Sequence, residues 1–281
     1  MADFELDLLA GAIGAIGKAG FYKYITRYLR KCLFYDNVIV VIFQGAMRPS
    51  IAYRETFGPN VFRYLESRYL PAAYLLDPVY HFHLRRGKSG IYRLLDIAPD
   101  QFRRSRYYKW YYGRIGITDE ISVVMTIGDE TTITISMGKD RSSGQMFSTR
   151  AENELLKHRA VIMALLKAHW LAAVTPRSTK PRNLSITENL IETMRSRHKV
   201  ILSKRQAEVT LLILQGHSSP SIGLHLGISP QTVKVFRKQL YGKCSLSSQA
   251  ELFALMMPIL EEITSRTDKH EVPEIEASDN L

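Results

Sequence analysis

Gln231, Lys234, Val235 and Lys238 fall on one side of a helix at about 100° per residue, with Val233, Phe236 and Leu240 on the other. Two long cations, an amide and an exposed β-branched methyl pair are groups that can meet guanine edges, adenine edges and a thymine methyl in a major groove. Thr232 and Arg237 complete this candidate DNA-binding set on the same helix. Lys204 and Arg205, at the start of an earlier helix, are candidates for phosphate contact. Taken alone, such a stripe is an amphipathic helix with a solvated basic side, so its neighbours must carry the argument.

Those neighbours are a succession of short helices over Ile201–Met257, each announced by a cap. Ser203 with Gln206 forms a capping box, and Ser248 with Glu251 forms another. Ser219-Pro220 and Ser229-Pro230 each pair a capping hydroxyl with a proline at the first helical position. Gly216 and Gly227 stand where the first and second helices must stop. A three-residue turn, Gly227-Ile228-Ser229, separates the second helix from the basic one. Two helices, a short turn and a base-reading face describe a helix-turn-helix.

The run Leu202-Ser203-Lys204-Arg205-Gln206-Ala207-Glu208-Val209, then Gln215-Gly216, Leu226-Gly227-Ile228-Ser229, Thr232-Val233-Lys234-Val235 and Ser247-Ser248-Gln249-Ala250-Glu251-Leu252, resembles the LuxR-type DNA-binding domain. The likeness spans about a fifth of the chain. It implies a transcription regulator whose third helix enters the major groove, with Lys234, Val235 and Lys238 at the base-contacting positions. It also implies a fourth helix that helps make a homodimer, here with Leu252, Leu255 and Met256 at helical spacing. Gln206 replaces the family's usual Glu but can still close the capping box. Thr210 replaces Leu, which should weaken local packing, and Phe236 stands where His is frequent, altering a backbone contact.

The whole-chain charge of +11 suits a polyanionic partner, double-stranded DNA above all, although charge alone says little. Basic residues crowd from Arg177 to Arg205 and from Lys234 to Lys243, and the tail after Leu260 is acidic. Cys32 and Cys244 fall in different parts of the chain, so neither a disulfide framework nor a multi-cysteine metal site is expected. An acidic N-terminus and an apolar stretch, Leu8 to Ile16, too short to span a bilayer read as a cytoplasmic protein without a membrane partner.

The expected fold class is α+β: an N-terminal α/β/α sensor-like sandwich on an antiparallel sheet, a linker, and an all-α four-helix C-terminal domain. The expected boundaries are 1–173 for the sensor, 174–200 for a Pro/Ser/basic linker with a short helix near Thr187–Arg197, 201–260 for the DNA-binding domain and 261–281 for an acidic, disordered tail. Helical spacing runs from Ala2 to Leu33, over Val61–Leu76, over Ser105–Tyr112 and from Thr149 to Ala173. Asn37–Phe43 with Ser50–Arg54, and Ile117–Ile127 with Thr131–Met137, read as hairpins. Asp77-Pro78 begins another helix.

In that first half the order of Asp77-Pro78-Val79, Ile91-Tyr92, Gly116-Ile117-Thr118 and Ser136 is similar to the autoinducer-binding domains of quorum-sensing LuxR proteins. The likeness implies a small-molecule ligand, with Asp77 holding its polar group and Tyr64, Tyr92 and Ser136 around it. Tyr64 and Tyr92 stand where that family has Trp, Arg68 near a usual Tyr and Glu120 near a usual Gly, which points away from a standard acyl-homoserine lactone. Asp77 can also be read as a helix cap and no more.

No catalytic residues, cofactor or metal are expected. His81 and His83 lie two apart with no third ligand, and Gly87-Lys88-Ser89 lacks the first glycine of a phosphate loop. An enzyme acting on an acyl or amide substrate lacks a nucleophile–base pair. The alternative to ligand control is a regulator gated by a protein partner; RNA polymerase is a further candidate partner.

Overall fold

The computed structural model describes residues 2–58, 60–173 and 185–269. The chain begins with α1 (Ala2–Gly14) and α2 (Phe21–Cys32), two helices where the sequence reads as one. The break falls at Gly17, whose backbone is left-handed (φ +76), and its N–H donates to Nδ1 of His169 at 3.1 Å. Next come β1 (Asn37–Gln44) and β2 (Ser50–Thr56), paired antiparallel.

The segment expected as a helix over Val61–Leu76 is instead a π turn at Leu65–Tyr69 and a 3-10 turn at Ala73–Leu76. Pro71 lies between them, and a proline inside a helix removes a donor and clashes with the preceding turn. From there the chain runs through α3 (Pro78–Leu84), β3 (Gly90–Arg93), α4 (Leu94–Ile97), α5 (Arg106–Trp110) and α6 (Tyr112–Ile115). Ser105 caps α5 by accepting from the Tyr108 N–H at 3.0 Å.

The hairpin β4 (Ile117–Ile127) and β5 (Thr131–Asp140) completes a five-stranded antiparallel sheet ordered β2-β1-β5-β4-β3. Register places Ile39, Val41 and Phe43 beside Ser136, Thr134 and Thr132, and Ser122 and Val124 beside Ser136 and Thr134, all on one face. On the opposite face Val38, Val40, Ile121, Val123, Ile133, Ile135 and Met137 pack against Phe21, Ile25, Leu29, Ile162 and Leu166 of the flanking helices. These helices include α7 (Thr149–Lys157) and α8 (Arg159–Ala173), separated at His158 rather than continuous.

The C-terminal part holds α9 (Ile186–His198), α10 (Lys204–Gln215), α11 (Ser219–Leu226), α12 (Pro230–Lys243) and α13 (Gln249–Lys269). Two boundaries differ from the sequence reading. The short helix expected near Thr187–Arg197 is α9, but it packs on α10 and α13 and buries Leu190 and Met194, so it belongs to the C-terminal part and not to a linker. The expected tail is helical as far as Lys269, because Ile263 and Thr264 continue the buried side of α13, and the Thr264 hydroxyl donates to the Pro71 carbonyl. Residues 174–184 and 270–281 lie outside the described residues.

Besides the N-terminal part's own core on the far face of the sheet, a second core is common to both parts. A single apolar cluster joins Leu76, Phe102 and Tyr107 to Leu214, Phe253 and Met257. At the seam the Gln101 N–H donates to the Gly216 carbonyl at 3.0 Å, and Asp100 accepts from the Ser218 N–H at 3.0 Å. Trp110 meets Phe253 edge-on, 5.6 Å between ring centres. Gly216 is left-handed (φ +101), and a Cβ there would stand 2.9 Å from that of Ser105, so the site demands glycine twice over. No described helix is long and apolar enough to cross a membrane.

Candidate nucleic-acid face and candidate ligand cavity

Helix α12 is fixed at its start by Ser229, whose hydroxyl accepts from the Thr232 N–H at 3.0 Å, with Pro230 in the first turn. Val233 and Leu240 are wholly buried and Phe236 is half-buried against the same core. This anchoring turns Gln231, Lys234, Val235 and Lys238 outward; all are exposed. Thr232 is half-buried and its hydroxyl is engaged with that of Ser229 at 2.8 Å. Arg237 sits apart from the exposed stripe. It is half-buried, lies over the Tyr241 ring at 5.2 Å and lines a cavity at the seam between the two parts.

Helix α10 carries Lys204 and Arg205 at its exposed N-terminal end, with Arg205 paired to Glu208 at 3.0 Å. Its capping box is closed: Ser203 accepts from the Gln206 N–H, and Gln206 Oε1 accepts from the Ser203 N–H. Gln206 does more than cap. Its Nε2 donates to Gln239 at 3.0 Å and its Oε1 accepts from Lys243 Nζ at 2.8 Å, tying α10 to α12. A glutamate could not donate to Gln239, so glutamine suits this junction. Thr210 is wholly buried and donates to the Gln206 carbonyl at 2.7 Å, which satisfies its hydroxyl in place of apolar packing.

Two capping details differ from the sequence reading. Ser218 caps α11, its hydroxyl accepting from the Ser221 N–H, so Ser219 and Pro220 are the first two helical residues. At α13 Ser248 accepts from the Glu251 N–H, whereas the Glu251 carboxylate takes the N–H and hydroxyl of Ser247.

Residues 200–256 match the family described as bacterial regulatory proteins, luxR family. The C-terminal part is therefore a luxR-family helix-turn-helix domain, and α12 is its third helix. A putative HTH-type transcriptional regulator in the exeN 3' region of Aeromonas salmonicida is 27% identical over 176 residues, covering 60% of this chain and 87% of that protein. Among solved structures, the VqsR LBD domain from Pseudomonas aeruginosa is 23% identical, with a TM-score of 0.49 over 59% of this chain and 96% of that one. Escherichia coli SdiA is 17% identical, with a TM-score of 0.40 over 88% of this chain and 92% of that one.

A second site lies on the polar-bearing face of the sheet. A cavity of ≈ 50 Å³ is walled by Ile39, Val41, Leu65, Tyr69, Tyr111 and Tyr112, among others, with Asp77, Glu120, Thr134 and Ser136 supplying polar atoms. Asp77 and Ser136 of the sequence-derived set line it. Tyr64 and Tyr92 do not. Tyr64 is half-buried with the Arg68 guanidinium over its ring at 4.3 Å. Tyr92 shares the sheet face, but its ring folds back over Gly90 onto Phe82, and its hydroxyl donates to the Lys88 carbonyl at 2.9 Å. His81 and His83 are tied to the Leu75 carbonyl and to Thr132 and the Gly45 carbonyl.

Asp77 serves both as cap and as cavity wall. Its Oδ1 accepts from the Val79 N–H at 2.7 Å, and the hydroxyls of Tyr69 and Tyr112 also face its carboxylate. Burial pushes it up to about 6 despite those donors. Glu120 accepts from Ser122 at 3.3 Å and is raised to about 8 by burial first and by the Asp77 charge second. Sequence reasoning noticed Glu120 only as a departure from a family pattern. Its β4 register beside Gly138, next to Ser122 and Ser136, was the signal that placed it at the cavity.

Two predictions follow from this geometry. Lys238→Ala should cost about 1–3 kcal/mol on a specific site and relax base preference, whereas Lys204→Ala should weaken all duplexes alike and flatten the salt slope. Fluorescence anisotropy on specific and scrambled duplexes separates the two effects; unchanged specific binding by Lys238→Ala would refute the reading face. The Glu120 carboxyl holds its proton in the folded chain up to about 8 but loses it near 4.5 when unfolded. The folded state should therefore lose stability as pH rises from about 4.5 to about 8. Denaturant titrations across that range should show Glu120→Gln with a flatter profile and a gain over wild type at the alkaline end.

Proposed function

We propose that this protein is a transcription regulator that reads duplex DNA with α12 and whose N-terminal part answers to a small, mostly apolar ligand. The observation that carries the first half is the exposed face of Gln231, Lys234, Val235 and Lys238 on a helix capped at Ser229, within the residues matched to the luxR family. Lys204 and Arg205, exposed at the head of α10, meet phosphate in this reading. Arg237, drawn toward the seam, is a contact only if that seam rearranges on DNA.

The second half rests on the cavity beside Asp77, which is mostly apolar, as small-molecule sites are. Asp77→Asn keeps a capping oxygen, because Asn caps about as well as Asp, but removes a buried acceptor charge. The expected outcome is loss of ligand response in a reporter assay with DNA binding intact. A fully responsive Asp77→Asn protein reduces Asp77 to its cap.

The functional unit in this reading is a homodimer, whose two recognition helices reach successive major grooves about 34–36 Å apart. Leu252 and Met256, the stripe first suggested for this contact, are wholly buried within their own chain. Helix α8 instead leaves Val161, Ala164 and Leu171 exposed along one side, and there we place the dimer contact. Sedimentation of the protein on a two-fold operator should give two protomers per site; one protomer per full operator removes the dimer.

A further inference from the structure

We infer that the cavity beneath the Leu65–Tyr69 turn receives an organic cation, an ammonium group on a short apolar body, held between Asp77 and Glu120. This rests on the reading of that cavity as a ligand site and assigns the chemistry of its ligand. Both carboxylates line the cavity and are buried, at 4% and 7% exposure. No Lys, Arg or His is among the lining residues. Arg103 lines a smaller recess that adjoins Glu120, but it is exposed and forms no ion pair with Glu120 among the described residues.

The protein meets these carboxylates with neutral donors only: the Val79 N–H and the Tyr69 and Tyr112 hydroxyls at Asp77, and Ser122 and Ser136 at Glu120. Hydrogen bonds satisfy lone pairs but do not cancel a charge taken out of water, and a buried charge calls for an opposite one. A neutral donor offers Asp77 a hydrogen bond alone, whereas an ammonium would add an opposite charge and donate hydrogen bonds to both carboxyl groups.

The remaining walls suit a cation as well. Tyr69 stacks on Tyr111 at 5.5 Å, and Tyr111 and Tyr112 stand edge to face at 5.7 Å, so aromatic π-systems border the carboxylate pair. Such rings attract ammonium groups. Behind this wall the Tyr107 hydroxyl, wholly buried beside Tyr111 and Tyr112 though not itself lining the cavity, has no hydrogen-bond partner among the described residues. The volume accommodates about three or four water-sized groups, so the headgroup fits and a longer tail requires the turn to open.

The charged and titratable groups at the site are Asp77, raised to about 6, Glu120, raised to about 8, Asp119 behind Glu120, and the wall tyrosines Tyr69, Tyr111 and Tyr112. A cation therefore binds Asp77 as it stands and displaces the proton of Glu120, so its affinity rises with pH between about 6 and about 8.

The test measures binding of n-butylammonium to n-octylammonium against 1-alkanols and alkanoates of equal length, by calorimetry and thermal shift on the full chain. Ammonium ions should bind about tenfold tighter than the matching alcohols, and alkanoates least. Glu120→Gln should keep ammonium binding through Asp77 but lose its rise with pH, and the Asp77→Asn, Glu120→Gln double variant should lose the preference for ammonium. Alcohols binding as well as ammonium ions would overturn the cation while leaving the ligand cavity standing. Binding of none of the three series would overturn both. If a variant fails to fold, the wild-type comparison of ammonium with alcohol decides alone.

Discussion

Along β5 the side chains alternate between Ile133, Ile135 and Met137 on one face and Thr132, Thr134 and Ser136 on the other, and the rest of the molecule is arranged around that alternation. The first set meets α1, α2 and α8 in an apolar core that asks nothing of its polar groups. The second set cannot be covered in the same way, because buried hydroxyls need partners. Ser136 finds Ser122 at 2.7 Å, Thr132 finds His83 at 2.8 Å and Thr134 donates to the Val41 carbonyl. The polar side of the sheet is thereby committed to hydrogen bonds and a cavity, and the turns after β2 fold over it.

That same side also receives the C-terminal domain. The segment from Phe102 to Tyr112 has two duties: Tyr111 and Tyr112 border the cavity, while Trp110 meets Phe253 and Ser105 faces Gly216. One short stretch of backbone thus touches both the proposed ligand and the domain that holds α12. Gln231, Lys234, Val235 and Lys238 stay exposed in this arrangement, while Arg237 and Val233 of the same helix line the seam. The buried half of α13 is spent on the seam.

Local chemistry made the helix-turn-helix legible in advance. Caps, helix-ending glycines and a 3.6-residue apolar spacing act over three or four residues, so Ser203, Gln206, Gly216, Gly227, Ser229 and the outward stripe of α12 could be placed from sequence. Even there a neighbouring hydroxyl competed: Ser218 rather than Ser219 caps α11, since both are serines and only the path of the backbone chooses between them. The strands were readable for the same reason, their β-branched runs and the Gly128-Asp129-Glu130 turn being local signals.

What depends on contacts far apart in the chain was decided by the tertiary structure. Tyr64 and Tyr92 carry the right side chains for a pocket, but the Pro71-broken segment turns the first under Arg68, and the second folds over Gly90 at the rim. Glu120 and Asp77 lie more than forty residues apart in sequence, and only the register of β4 and the cap of α3 bring their carboxylates to one cavity. The shared core between the two parts was equally invisible, because an apolar stripe on α13 reads the same whether its partner is another chain or its own. Sequence by itself determined which helix carries the outward basic stripe; burial, which no window of residues contains, decided which side chains meet at the cavity in the other half of the chain.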